Sequence, residues 1–331
     1  MTQPRAVITG ASGFVGQALV GHLNASYEVA TIGRSGATVG WGDDRGVRAL
    51  VDGADLLINL AGRSVGCRYN DRNRDEIWHS RIDTTEQLHR AVSTAHRPPR
   101  LWLNASTATI YRHAMDRAQD EDSGELGSGF SVDVARDWEQ VFGAGELPGT
   151  RRVALRMAIV LGDGPALRML TMPARLGLGG PHLDGWWFPH RRYRGIGLAP
   201  TPAAPHGTPT HGEQRFSWIH LDDLLAAVTF LDEHDELTGP INLAAPEPAT
   251  NRRLMAALRR AVGVPFGLPI PRWLLEPGLA VLRQESELLL KSRWAVPSRL
   301  TRAGFTFTWP TLEPAIEDLL NTRGRTKPAH P

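Results

Sequence analysis

Val7-Ile8-Thr9-Gly10-Ala11-Ser12-Gly13-Phe14-Val15-Gly16 decides the fold. The apolar run Ala6-Val7-Ile8 enters a glycine-rich turn, and a helical apolar pattern (Phe14, Val15, Ala18, Leu19, Leu23) leaves it. Strand, tight turn and helix in that order are the layout of a dinucleotide site. Gly10 lets the chain turn off the strand. Gly13 removes a side chain where the backbone must approach a pyrophosphate, and Gly16 lets the helix pack against the strand. The backbone N–H groups of residues 10–16, which include Ala11, Ser12, Phe14 and Val15, then face an anion, helped by the helix dipole. The competing reading is a bare strand–helix turn. The place of the glycines between a strand and an amphipathic helix favours the nucleotide.

The next strand pattern, residues 27–32, ends in Gly33-Arg34-Ser35. In this layout the tip of the second strand meets the adenosine ribose, and an acidic residue there favours NAD. Arg34 and Ser35 instead suit a 2′-phosphate, so NADP(H) is the expected cofactor, with NAD(H) second. The plainer alternative is a solvated surface arginine.

Residues 55–60 form a nearly continuous apolar run, as in a strand buried on both faces of a parallel sheet. It ends in Leu60-Ala61-Gly62, small enough at the end for a cofactor to lie across it. A helix is expected over residues 75–92 and a strand over 101–105, running into Ser106-Thr107-Ala108-Thr109-Ile110-Tyr111. Hydroxyls at a central strand's carboxyl end sit where open α/β sheets bind ligands. They equally well satisfy a turn's own backbone. A helix over 130–142 and a strand over 152–161 continue the alternation, which predicts an α/β, doubly wound parallel sheet. The expected units are residues 1–165 for the nucleotide and 166–245 for substrate-side elements that partly return to the sheet. A small domain follows at 246–322, then a frayed tail at 323–331.

Other classes fit poorly. The 37 basic and 35 acidic residues leave a net charge of only +2, and no basic run is interleaved with aromatics, so nucleic acid is not an expected partner. A single cysteine, Cys67, excludes an internal disulfide framework and a cysteine-rich zinc site. His182, His190, His206 and His211 match no ligand spacing and read as loop histidines, so no metal is expected. No apolar run has spanning length and no signal peptide fits the start, so a cytoplasmic, membrane-free protein is expected. The partner is a small-molecule substrate of unknown identity, and a homodimer is left open.

Taken together, the chain resembles the extended short-chain dehydrogenase/reductase superfamily. Within it, the chain looks like the atypical branch of NAD-dependent epimerase/dehydratase-like, or nucleoside-diphosphate-sugar-epimerase-like, proteins. The segments that carry the resemblance include the glycine turn, Ile58-Asn59-Leu60-Ala61-Gly62, Ser80-Arg81-Ile82-Asp83-Thr84-Thr85, Phe216-Ser217-Trp218-Ile219-His220 and Ile241-Asn242-Leu243-Ala244-Ala245-Pro246. Ser298-Arg299-Leu300 through Trp309-Pro310 resembles that branch's small C-terminal domain. The resemblance implies a Rossmann-type sheet with a smaller, mostly helical C-terminal substrate-side region. It implies a nicotinamide against Ala61, Ala105, Thr107 and Ala158. It also implies a tyrosine general acid/base, a lysine four residues later, a serine or threonine that polarises the substrate oxygen, and an asparagine that holds a relay water. On this chain the hydroxyl falls at Thr107, the tyrosine and lysine near Ser131 and Ala135, and the asparagine near Arg81. The helix contains no Tyr-x-x-x-Lys. Hydride transfer then needs another proton donor, and Tyr111 and His220 are the candidates. Each has a structural alternative: Tyr111 packing under the sheet edge, His220 capping or filling a core. Residues 184–213 are an irregular insertion, either a lid or a neutral addition. The expected function is an NADP(H)-dependent oxidoreductase or epimerase-like enzyme with a non-standard site. The alternative is an inactive NADP(H)-binding sensor or assembly module.

Overall fold

A computed structural model of the chain describes residues 3–184 and 210–325. Strand and helix alternate from the start: β1 (Arg5–Thr9), α1 (Phe14–Leu23), β2 (Glu28–Gly33), β3 (Val39–Gly40), α2 (Asp44–Val51), β4 (Leu56–Asn59), α3 (Asp71–Ser93), β5 (Leu101–Thr107), α4 (Phe130–Gly143) and β6 (Arg151–Met157). The chain continues through β7 (Ile159–Leu161), α5 (Pro165–Arg175), β8 (His182–Leu183), β9 (Arg215–Phe216), β10 (Trp218–His220), α6 (Leu221–Glu233) and β11 (Gly239–Leu243). Short elements complete it: β12 (Ala249–Thr250), α7 (Asn251–Ala261), β13 (Ile270–Pro271), α8 (Arg272–Val281), α9 (Glu287–Leu290), α10 (Ser298–Arg302) and α11 (Leu312–Arg325).

Seven strands form one parallel sheet in the order β11-β6-β5-β4-β1-β2-β3. The chain leaves β1 toward β2 and then returns to the other side through β4. That reversal opens a crevice at the carboxyl ends of the strands, where ligands bind in open α/β sheets. Register keeps the ends level: Thr9 is opposite Ile32 and Asn59, and Asn59 is opposite Asn104.

Both sheet faces are covered, which is why the central strands carry apolar side chains on both sides. Ala6, Ile8, Leu56, Ile58, Leu103 and Leu155 pack on one side with Leu19 and Leu23 of α1 and Leu224, Val228 and Leu231 of α6. Val7, Leu57, Trp102 and Ala154 face the other way, against Val47 and Val51 of α2, Leu88 and Val92 of α3 and Phe142 of α4. A separate core joins Leu167 and Leu170 of α5, Trp218, Leu254 and Leu258 of α7, and Ile316 of α11. It supports the helical C-terminal side.

Several sequence boundaries need correction. The strand expected over residues 152–161 breaks at Ala158: β6 stays in the central sheet, whereas β7 leaves it to pair with β10. The small domain expected at 246–322 holds two helices, α8 and α9, divided by a turn where Arg283 takes a positive φ of 56°. Helices α2 and α5 had no counterpart in the sequence reading. Most of the insertion at 184–213, with Trp186, Trp187, Phe188, His190 and His206, lies outside the described residues. Of the other two histidines, His182 is buried, with its Nδ1 3.2 Å from Asn251 Nδ2. Among the described residues no group of acidic, histidine or cysteine side chains could hold a metal ion, and no helix is long and apolar enough to cross a membrane.

Candidate functional site

The glycine turn is fixed by contact. Gly10 has a φ of +68°, and a Cβ there would meet Leu60 O at 2.4 Å. A Cβ on Gly16 would meet Gly10 O at 2.2 Å, so α1 is pressed directly on the turn. Gly13 differs: its Cβ would meet only Gly10 O, at 3.3 Å. It is the N-cap of α1, with no side-chain cap and no acidic residue in the first turn. The first-turn N–H groups are therefore left for an outside acceptor. An uncapped helix start over an open glycine fits a pyrophosphate.

Buried side chains lock the strand ends beside this turn. The Thr9 hydroxyl donates to Asn59 Oδ1 at 2.6 Å, and Asn59 Nδ2 donates to Asn104 Oδ1 at 2.7 Å and to Thr85 Oγ1 at 3.0 Å. The backbone N–H of Ala61 donates to Thr9 Oγ1 at 3.1 Å. A fully satisfied buried network of this kind is rigid. It pins the Leu60-Ala61-Gly62 backbone where a cofactor would cross it.

From here a cavity of about 330 Å³ runs over the ends of β1, β4 and β5. Gly10, Gly13, Phe14, Val15 and Gly16 line one end, Leu60, Ala61, Gly62 and Ala105 the middle, and Thr107, Ser131, Ala135 and Arg81 the rest. The four positions that the resemblance assigns to catalysis thus share one cavity. Thr107 Oγ1 accepts from the Thr109 N–H at 3.1 Å, so it caps the turn and lines the cavity at once. Its own proton remains available to donate.

Arg34 and Ser35 stand exposed just beyond β2, next to the turn because Thr9 pairs with Ile32. Arg34 forms no ion pair with any described residue. Ala11 and Ser12 belong to the turn but not to the cavity lining.

Three expected site residues are elsewhere. Tyr111 is buried, its hydroxyl donating to Asn242 Oδ1 and accepting from Arg156 Nη1, both at 2.9 Å. Burial raises its pKa. It sits below the site as part of a network in which Arg156 pairs with Glu139 at 2.7 Å. His220 is buried at the start of α6, where Nδ1 accepts from the Asp222 N–H at 3.1 Å. Its ring packs on Trp309 at 5.0 Å, and burial lowers its pKa. Both structural alternatives therefore describe these two residues, and neither reaches the cavity. Ala158 occupies the break after β6, buried with Ala108, Ile110 and Tyr111; Met157 lines the cavity in its place. Asp223, which reads as a plain helix-start acid, is fully buried and accepts from the Thr308 and Trp309 N–H groups at 2.7 and 3.0 Å.

Sequence reasoning missed the groups that enter from loops and from the C-terminal side. Tyr69, in the loop after β4, lines the cavity with its hydroxyl 3.5 Å from Ser131 Oγ and its ring edge-on to Phe130 at 4.9 Å. Burial, then the nearby Glu287, raises its pKa. Ser131 also donates to Glu287 Oε2 at 3.2 Å. Lys291 donates to Thr109 O at 2.8 Å, and burial lowers its pKa to about 8 against the opposing pull of Glu287. Arg293 Nε donates to the Thr109 hydroxyl at 3.1 Å. The C-terminal region thus forms the back wall behind Thr109 and Ser131. No periodicity marks Tyr69, and nothing local in the sequence ties residues 287–293 to residues 107–131.

Comparison with known proteins agrees with this architecture. Residues 6–164 match the model of the NAD dependent epimerase/dehydratase family, and residues 270–319 match a domain of unknown function, DUF1731. The human epimerase family protein SDR39U1 is 30% identical over 325 residues, covering 96% of this chain and 99% of the human one. The epimerase family protein YfhF of Bacillus subtilis (strain 168) is 28% identical over 326 residues, covering 96% and 98%. The crystal structure of human SDR39U1 (isoform 2) with NADPH aligns with a TM-score of 0.79 at 29% identity, over 96% of this chain and 99% of that one.

Proposed function

The chain belongs to the NAD dependent epimerase/dehydratase family, and on that premise we propose that it is an NADP(H)-binding oxidoreductase or epimerase-like enzyme acting on a small molecule through a non-standard site. One observation carries the reading. A single cavity joins an uncapped helix start over Gly13 to the Thr107 hydroxyl, with an exposed Arg34 beside the same turn. The human relative solved with NADPH supports the choice of cofactor.

When bound, NADP(H) supplies or accepts a hydride. The protein's own part is to place and polarise. Residues 10–16 hold the pyrophosphate by backbone N–H groups and the helix dipole. Arg34 and Ser35 take the 2′-phosphate by charge-assisted bonds. The Thr107 hydroxyl donates to the reacting oxygen of the substrate. Tyr69 is the phenol that faces the cavity; like any phenol it is protonated at neutral pH, and burial raises its pKa further, so it acts as a hydrogen-bond donor to the substrate. Apolar walls, Phe130, Val134, Trp138 and Met157, exclude water around the reacting atoms.

A second reading has its own observation. The positions given to the tyrosine and lysine hold Ser131 and Ala135, and both line the cavity. An inactive NADP(H)-binding sensor or assembly module would look the same there. Fluorescence titration with NADPH and NADH, followed by an NADPH-oxidation assay over a carbonyl panel, separates the two. Tight NADPH binding with turnover that Thr107→Ala abolishes is the expected result. Binding without turnover by any carbonyl favours the module, and equal affinity for the two cofactors removes the role given to Arg34.

A further inference from the structure

Arg81 is the only charged side chain in the described lining of the cavity. It projects from α3, half-buried, with its guanidinium 5.1 Å from the Trp138 ring and 3.1 Å from where a Cβ on Gly62 would stand. Nη1 donates to Ile77 O at 2.9 Å. Among the described residues no carboxylate pairs with it. The groups that act on its charge are Tyr69 and Cys67, a phenol and a thiol. Burial lowers its pKa to about 10, which leaves it a cation at neutral pH. Glu287, the acid that acts on Tyr69, is itself engaged, 4.0 Å from Lys291 and bonded to Ser131.

A partly desolvated guanidinium without a counter-ion is costly unless something supplies one. The cofactor's pyrophosphate is provided for at the far end, by the uncapped start of α1. Arg81 packs on Gly62 in the middle of the cavity, and its other neighbours are Tyr69, beside Ser131, and Trp138 of α4. The planar fork of an arginine matches an oxyanion with two parallel bonds.

Resting on the cofactor reading above, we propose that Arg81 is the docking point for an anionic group of the substrate, which is therefore a small carbonyl or hydroxy compound bearing a carboxylate or phosphate. A cavity of about 330 Å³ shared with a nicotinamide leaves room for a compact molecule. The anion on Arg81 fixes the substrate's orientation, and the Thr107 hydroxyl receives its reacting oxygen.

The test uses the full chain, with oxamate, inorganic phosphate and neutral acetamide as probes. Each is titrated calorimetrically into NADP⁺-loaded and cofactor-free protein, for the wild type, Arg81→Lys, Arg81→Gln and Arg81→Met. At least one anion should bind about tenfold or more tighter than acetamide. Oxamate leading marks a carboxylate substrate, and phosphate leading marks a phosphorylated one. Arg81→Met and Arg81→Gln should lose about tenfold of that affinity or more, Arg81→Lys should keep most of it, and NADPH affinity should stay within about threefold. Anions that bind no better than acetamide overturn the proposal, as does anion affinity that survives in Arg81→Gln. A parallel loss of NADPH affinity in the Arg81 variants also overturns it, because the guanidinium would then serve the cofactor. Failure of NADPH to bind the wild type defeats the cofactor reading instead, and the cofactor-free titration still judges Arg81. Gln keeps a donor for Ile77 O, so the result stands even if Arg81→Met does not fold.

Discussion

The two ends of the cavity are made of different materials. At one end, backbone does the work: Gly10, Gly13 and Gly16 place N–H groups and a helix start, and any added Cβ on Gly10 or Gly16 would strike a carbonyl. At the other end, side chains from distant segments do it: Tyr69 from a loop, Arg81 from α3, Ser131 from α4, with Glu287, Lys291 and Arg293 behind them. The first end is local in sequence and tolerates almost no change. The second is assembled by the fold, so its residues can be exchanged one at a time, and several differ from those the resemblance implies.

The sharpest way to break this contrast is at Gly16. Gly16→Ala puts a methyl 2.2 Å from Gly10 O. It should cost more than about 3 kcal/mol, beyond ordinary overpacking, because the obstacle is backbone. A urea melt that shows a loss under about 1 kcal/mol, with NADPH affinity intact, would remove the rigidity assigned to this end.

At the other end the largest expected effect is electrostatic. Lys291 has a folded pKa of about 8, against about 10.4 in the unfolded chain. Between those values the unfolded chain keeps a proton that the folded chain has released, so stability rises with pH across that window. The rise amounts to up to about 3 kcal/mol. Lys291→Met should be the more stable protein below pH 8 and should lack this increment. Chemical melts of both proteins at pH 7, 8.5 and 10 read the difference, and parallel curves would show that Lys291 is solvated.

Arg34 tests how far the backbone end is sufficient. Arg34→Asp should weaken NADPH by about 1.5–3 kcal/mol, roughly tenfold or more, while NADH holds or improves. A variant that binds both cofactors like the wild type would leave the 2′-phosphate without a partner. The smallest effect is expected below the site. Tyr111→Phe removes one bond to Asn242 and one from Arg156. It should cost about 1–2 kcal/mol of stability with NADPH affinity unchanged. Loss of turnover without loss of stability would return Tyr111 to the catalytic role that its burial denies it.

Much of this was legible beforehand. The glycine turn, the doubly buried strands and the strand–helix alternation each leave a short-range signal: spacing, apolar runs and period. Where the sequence leaves alternatives open or blurs a boundary, tertiary contacts decide. Tyr111 follows Thr107 by four residues and reads either as a proton donor or as packing under the sheet edge; its hydroxyl donates to Asn242, 131 positions later, which describes the second. His220 reads from the sequence either as a base or as a cap and core residue; its bond from the Asp222 N–H and its packing on Trp309 describe the second. The strand after Arg151 seemed continuous through Leu161, because nothing in its composition reports that β7 pairs with β10 rather than with the central sheet.

The sequence by itself determined the sheet, the turn at its centre and the preference implied by Arg34, since each depends on residues adjacent in the chain and on backbone geometry that only glycine allows. The tertiary structure alone decided which polar groups meet in the cavity. Packing brings Tyr69, Arg81, Thr107 and Ser131 together, sends Tyr111 and His220 into the core, and leaves Arg81 without a carboxylate partner among the described residues. Such encounters depend on distances between segments tens to hundreds of residues apart, and no local pattern encodes them.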